Sequence, residues 1–134
     1  METPIQFIKR RKIYYRKCLN KYNDSNKERH LNWWPDINRR GGYWVLREAW
    51  TFMRQFDHNG KIFLVERFKT IRIKKPISNA KAKVGIKSYR IGYFMLGKNG
   101  NKKNKWTWGE SCPIIPHKDF QKLINKAKKE KTIL

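Results

Sequence analysis

The sequence predicts an α+β fold: an antiparallel sheet of two hairpins packed by a C-terminal amphipathic helix, with a basic arm or helix at the N-terminus. Three observations carry this. Ser88 to Leu96 and Lys105 to Cys112 read as strands around a Gly97 to Asn104 turn, with Tyr89, Ile91, Tyr93 and Met95 on one face and Trp106 and Trp108 sharing a face. Asp57-His58-Asn59-Gly60, residues that tolerate positive φ, separates two further aromatic and β-branched runs. Beyond Pro113 and Pro116, residues Phe120, Leu123, Ile124 and Ala127 form one apolar helical stripe, with Lys118, Lys122, Lys126 and Lys129 off it.

Taken in order, residues 4–22 set Ile5, Ile8, Ile13, Tyr15 and Leu19 among seven Lys and Arg residues. This suits a basic helix with Thr3 as N-cap and Pro4 as its first residue, or an arm that orders only on a polyanion. Residues 1–30 are therefore expected as arm or helix, and 31–134 as a single domain. Asn23 to Arg29 is a polar linker. Trp33-Trp34-Pro35 is either a packing staple or a base-stacking platform. Arg39-Arg40-Gly41-Gly42 reads either as a flexible turn presenting guanidinium groups, which suit phosphate through their planar donor fork, or as a plain turn into the first strand. Tyr43 to Phe56 fits both a helical stripe and alternation. The turn and the β-rich Ile62-Phe63-Leu64-Val65 run that follow it favour a strand, at least from Ala49. The second strand continues to Pro76, and Pro76 to Val84 is a basic connection.

The net charge of +23 comes from 33 Lys and Arg against 10 Asp and Glu. Residues 67–109 hold 13 of the basic side chains and no acid, in strands and turns rather than a tail. Self-repulsion of that size is most easily relieved by a polyanion, so nucleic acid is the expected partner. Cys18 and Cys112 lack a CxxC partner, which excludes a disulfide framework or zinc ribbon and fits an intracellular, reducing compartment such as cytoplasm, nucleoid or nucleus. No apolar run is long enough for a membrane span, and no membrane partner is expected.

Catalytic patterns fit poorly. His58-Asn59 and His117 share letters with HNH nucleases, but their spacing is wrong for a metal-bound ββα element. Glu66-Arg67-Phe68-Lys69 puts the lysine one residue too far for a nuclease acid-x-Lys triplet, and acids are too few for two-metal chemistry. Cys112 and His117 flank a Pro-Ile-Ile-Pro kink rather than a built thiol–base pair. The Gly97 to Lys103 turn lacks the helix that a Walker loop needs. The expectation is no enzyme, no metal and no cofactor.

Binding chemistry fits better, because single-strand binders combine a cationic groove with aromatic platforms. The candidate nucleic-acid contacts are Arg39, Arg40, Lys74, Lys75, Lys87, Arg90, Tyr93, Lys98, Lys102, Lys103, Lys105 and Trp106. Over residues 43–130 the order of elements and their composition resemble the ββββα plan of the Whirly, Pur-alpha and positive-coactivator single-stranded-DNA binders. That resemblance carries no residue motif. It implies assembly as dimers or longer oligomers, with curved sheets binding the strand. The expected function is thus non-catalytic binding of single-stranded DNA or RNA through a basic, aromatic-bearing sheet. Two alternatives stand beside it: a structural RNA-binding component of a ribosome-like ribonucleoprotein complex, and a regulator that binds double-stranded DNA.

Overall fold

The computed structural model describes residues 1–36 and 40–134. Helix α1 (Pro4–Ser25) is followed by a short 3₁₀ turn (Glu28–His30) and strands β1 (Asn32–Pro35), β2 (Gly42–Arg54), β3 (Lys61–Lys74), β4 (Lys87–Leu96) and β5 (Trp106–Trp108). Helix α2 (His117–Lys129) closes the order. The five strands form one antiparallel sheet in sequence order, β1 to β5. Both expected hairpins are present, β2–β3 around Asp57 to Gly60 and β4–β5 around the Gly97 to Asn104 turn.

The middle strand explains the layering. Ile62, Phe63, Leu64, Val65 and Glu66 are all sealed from solvent, so β3 is covered on both faces. Ile62 and Leu64 pack with Phe7 and Tyr15 of α1, together with Phe52 and Phe94. Phe63 and Val65 pack with Tyr93 and with Leu123 and Ala127 of α2. Period-two alternation thus sends successive residues of one apolar run to two different helices.

The N-terminal segment, open between helix and arm in the sequence, is a helix docked on the sheet. Thr3 Oγ1 accepts from the Gln6 amide, and the Gln6 side chain accepts from the Thr3 amide, with Pro4 in the first turn. This reciprocal capping box satisfies two helix-end donors. Phe7, Tyr15 and Leu19 are buried beneath it.

Two sequence expectations need correction, the return strand and the α2 stripe, and two open readings are decided. The return strand is only Trp106–Trp108, not Lys105 to Cys112. At Gly109 the chain presses on the Tyr93 ring so closely that a Cβ would sit 2.2 Å from it, and it then leaves the sheet towards Pro113. Trp33-Trp34-Pro35 belongs to a strand that pairs with Gly42–Val45. Gly41 and Gly42 lead directly into β2, as the plain-turn reading has it. A Cβ on Gly41 would meet the Lys74 carbonyl at 1.9 Å, and one on Gly42 the Trp34 carbonyl at 2.4 Å, so these glycines permit close backbone approach. The buried stripe of α2 is rotated: Asp119, Leu123 and Ala127 face the sheet, whereas Phe120 is 44% exposed. Asp119 accepts from the Phe56 amide at 3.3 Å, which anchors the helix start to the end of β2.

Among the described residues, no helix is long and apolar enough to cross a membrane. Because Phe7 is fully buried between Phe94 and Trp106, Phe7→Ala is expected to cost about 3–5 kcal/mol, read as a shift in the urea midpoint of one cooperative transition. A change within about 0.5 kcal/mol would mean that α1 lies outside the folded core.

Candidate nucleic-acid interface

Helix α1 covers one end of its sheet face and leaves a cleft over the rest. Three arginines converge there. Arg47 comes from β2, Arg90 from β4 and Arg11 from α1, and with Tyr15, Phe94 and Trp108 they line a cavity of about 220 Å³. A β-bulge decides the first of these. Trp50 and Phe52 face α1, and a regular strand would bring Glu48 to the same side. The register shift between Arg47 and Ala49 instead sets Arg47 opposite Phe68, while Glu48 pairs with Arg67 and Lys87. One extra residue replaces an acid with a base on the cleft face.

Glu66 holds the arrangement. Its side chain is fully buried, with one carboxylate oxygen 2.6 Å from Arg47 Nε and the other 2.8 Å from Arg90 Nε. A carboxylate buried in the sheet survives only with such partners. The guanidinium planes lie over aromatic rings. Arg47 is 3.9 Å from the Tyr15 centroid, Arg90 4.8 Å from Trp108 and 5.8 Å from Trp34, and Arg11 5.3 Å from Phe94. Cation–π contact of this kind restrains each arginine without consuming its outward donors. Arg11 donates Nη2 to the Tyr15 hydroxyl at 3.2 Å, while its buried Nε has no acceptor. Trp108 crosses Gly92, where a Cβ would meet the indole at 2.2 Å, and the residue is 38% exposed.

The cleft widens into a groove of about 460 Å³ that shares Arg11 and Arg47 with it. One wall is an α1 stripe, Arg11, Tyr14, Cys18 and Lys21, and the other is Arg29 to Asn32. No acidic side chain lines either cavity. Desolvation, then the neighbouring Arg29, Lys21 and Lys27 charges, push the His30 pKa down, so the groove's positive charge at neutral pH comes from Lys and Arg. Contact with the Cys18 thiol raises the Tyr14 phenol, which stays a neutral donor.

The sequence-derived contacts divide among several places. Arg90 lies in the cleft. Arg40, Lys74 and Lys75 are exposed at the end of the sheet where Gly42 pairs with Lys74, and Arg39 lies outside the described residues. Lys98, Lys102, Lys103 and Lys105 are exposed in the β4–β5 turn at the opposite end. The ten residues of β4 set these two groups roughly 30 Å apart. Lys87 is occupied by Glu48 on the α2 face. Tyr93 and Trp106 do not form a shared stacking surface. Tyr93 is buried against α2, whereas Trp106 packs on Phe7 on the other face and donates its indole N–H to the Glu2 carbonyl. Arg11, Arg47, Trp34 and Lys21 were absent from the sequence-derived set. The i, i+3, i+7, i+10 spacing of Arg11, Tyr14, Cys18 and Lys21 is a legible helical stripe, but the bulge that selects Arg47 has no sequence signature.

Glu66→Gln is expected to cost about 3 kcal/mol, since it leaves Arg47 and Arg90 without their counter-charge, and denaturant unfolding measures this. Glu48 supplies a pH test. Burial opposes its charged form, but hydrogen bonds from Lys87 and Arg67 outweigh that and lower its pKa. Its contribution is complete above the unfolded value of about 4.3 and is lost as pH falls through the lower folded value. Glu48→Gln should therefore flatten the loss of stability below about pH 4, read from urea midpoints across that range.

No family model, curated protein or solved structure matches this chain.

Proposed function

We propose that the protein is a non-catalytic nucleic-acid-binding protein that takes a single strand of DNA or RNA along the α1-face cleft and its adjoining groove. One observation carries the reading: Arg11, Arg47 and Arg90 converge on aromatic rings in a concave site where Glu66 pairs with two of them. Guanidinium forks suit phosphate oxygens, and the half-exposed Trp108 suits a base. The adjoining groove is walled by α1 on one side and by Arg29 to Asn32 on the other, a shape that admits one flexible strand more readily than a rigid duplex. The exposed lysines at the two sheet ends supply a long-range field that gathers a polyanion.

The sequence reading is altered in one respect. The aromatic-bearing sheet is not an open platform, because helices cover both faces, so binding is assigned to the part α1 leaves uncovered. The plan-level likeness to ββββα single-strand binders supports the same class of ligand and suggests self-assembly. A ribonucleoprotein component with a threading N-terminal arm is disfavoured by the docking of that segment as a helix.

The test is a salt titration of binding to labelled single-stranded oligonucleotides, with duplex DNA and structured RNA as competitors. The log–log slope should be about −0.7 per neutralised phosphate. Trp108→Ala should weaken binding by about 1–3 kcal/mol while leaving the unfolding transition in place. Affinity insensitive to salt, or duplex displacing single strand at equal concentration, would remove the proposal.

A further inference from the structure

We propose that the inner end of the cleft is a subsite for a terminal phosphate, so that the protein holds an end of a strand rather than only its interior. The inference deepens the single-strand reading and rests on it. Its basis is a charge and donor imbalance. Three guanidinium groups face one carboxylate, which leaves two positive charges around a small, solvent-connected cavity. An internal phosphodiester brings one negative charge, whereas a phosphomonoester brings between about 1.5 and 2, with three strong acceptor oxygens. The monoester is the better match.

The donors fit the same group. Glu66 occupies the Nε of Arg47 and of Arg90, which leaves their terminal N–H groups for a ligand. Arg11 holds its place through Nη2 on the Tyr15 hydroxyl, with its Nε sealed from the cavity, which leaves its other terminal nitrogen to donate to an anion. Size agrees as well. The inner cavity, at about 220 Å³, is below the roughly 300 Å³ that begins the range for drug-sized ligands, so it suits a phosphate and part of its sugar. The 460 Å³ groove beyond it accommodates the nucleotides that follow. Trp108, in T-shaped contact with Phe94 and partly exposed, lies where a terminal base can pack against it.

The experiment compares four labelled single-stranded oligonucleotides of one base composition: 5′-phosphorylated, 3′-phosphorylated, unphosphorylated, and unphosphorylated but one nucleotide longer. The last controls for total charge. One phosphorylated form should bind at least about tenfold more tightly than both unphosphorylated forms, and which form does so identifies the end that is read. In Arg11→Gln the ratio of phosphorylated to unphosphorylated affinity should shrink to less than about twofold. In the remote Lys102→Ala/Lys103→Ala variant the ratio should persist even as both affinities fall. Equal binding of all four strands would overturn the terminal subsite and leave the groove reading standing. A preference that survives Arg11→Gln would also overturn it. Binding of none would remove both.

Discussion

The buried carboxylate of Glu66, bridging Arg47 and Arg90, is the contact on which the α1 face depends. A charge sealed in the centre of a sheet would be strongly unfavourable alone, so it fixes two guanidinium groups from strands on either side of β3. Those groups then determine which rings pack beside them. Tyr15 and Phe68 lie against Arg47, and Phe68, Trp34 and Trp108 against Arg90. A polar bond in the core and an aromatic–cationic surface above it are therefore one structure. Its preorganisation matters for binding, because side chains already held by packing lose little further entropy when a ligand arrives.

Covering both faces of the sheet has a functional consequence. An open sheet can use every outward residue of one face, but here alternation along β3 and β4 buries residues of both parities. Tyr93 goes under α2, and Phe94 goes under α1. On the α1 face, Arg11, Arg47 and Arg90 with Tyr15, Phe94 and Trp108 line a cavity beside the helix. The adjoining groove is concave because α1 stands above the sheet on one side and the Glu28–His30 turn closes the other. The cleft is thus a product of incomplete coverage, and the length and docking of α1 set its extent.

Charge acts at two scales in this molecule. The lysines of the β4–β5 turn and those near the end of β3 are exposed and far apart, suited to attraction over about a Debye length and sensitive to salt. The cleft arginines are partly withdrawn from water and carry directional donors, so they suit close recognition. Glu48 shows how finely the sign of a surface is set. One bulged residue takes it to the α2 side, where it ties Arg67 and Lys87, and sets Arg47 on the opposite face beside Glu66.

The legible part of this protein was the part governed by local rules. Thr3-Pro4 with Gln6 marks a helix start, Asp57 to Gly60 marks a hairpin, and the alternation through β4 marks a strand, each from a handful of neighbouring residues. Net charge and the acid-free stretch from 67 to 109 likewise come from composition alone. Whether Tyr93 and Trp106 were surface or core was not legible, because that depends on which helix lands on which face. Nor was the pairing of Asn32–Pro35 with β2, or the rotation of α2 that buries Asp119 and leaves Phe120 out. The sequence by itself determined the two hairpins, the C-terminal helix, their order and the strongly basic character. Only the tertiary structure decided that Arg11, Arg47 and Arg90 meet, because they lie on three separate elements and are joined by a buried carboxylate, a β-bulge and the docking of a helix, none of which leaves a local pattern in the chain.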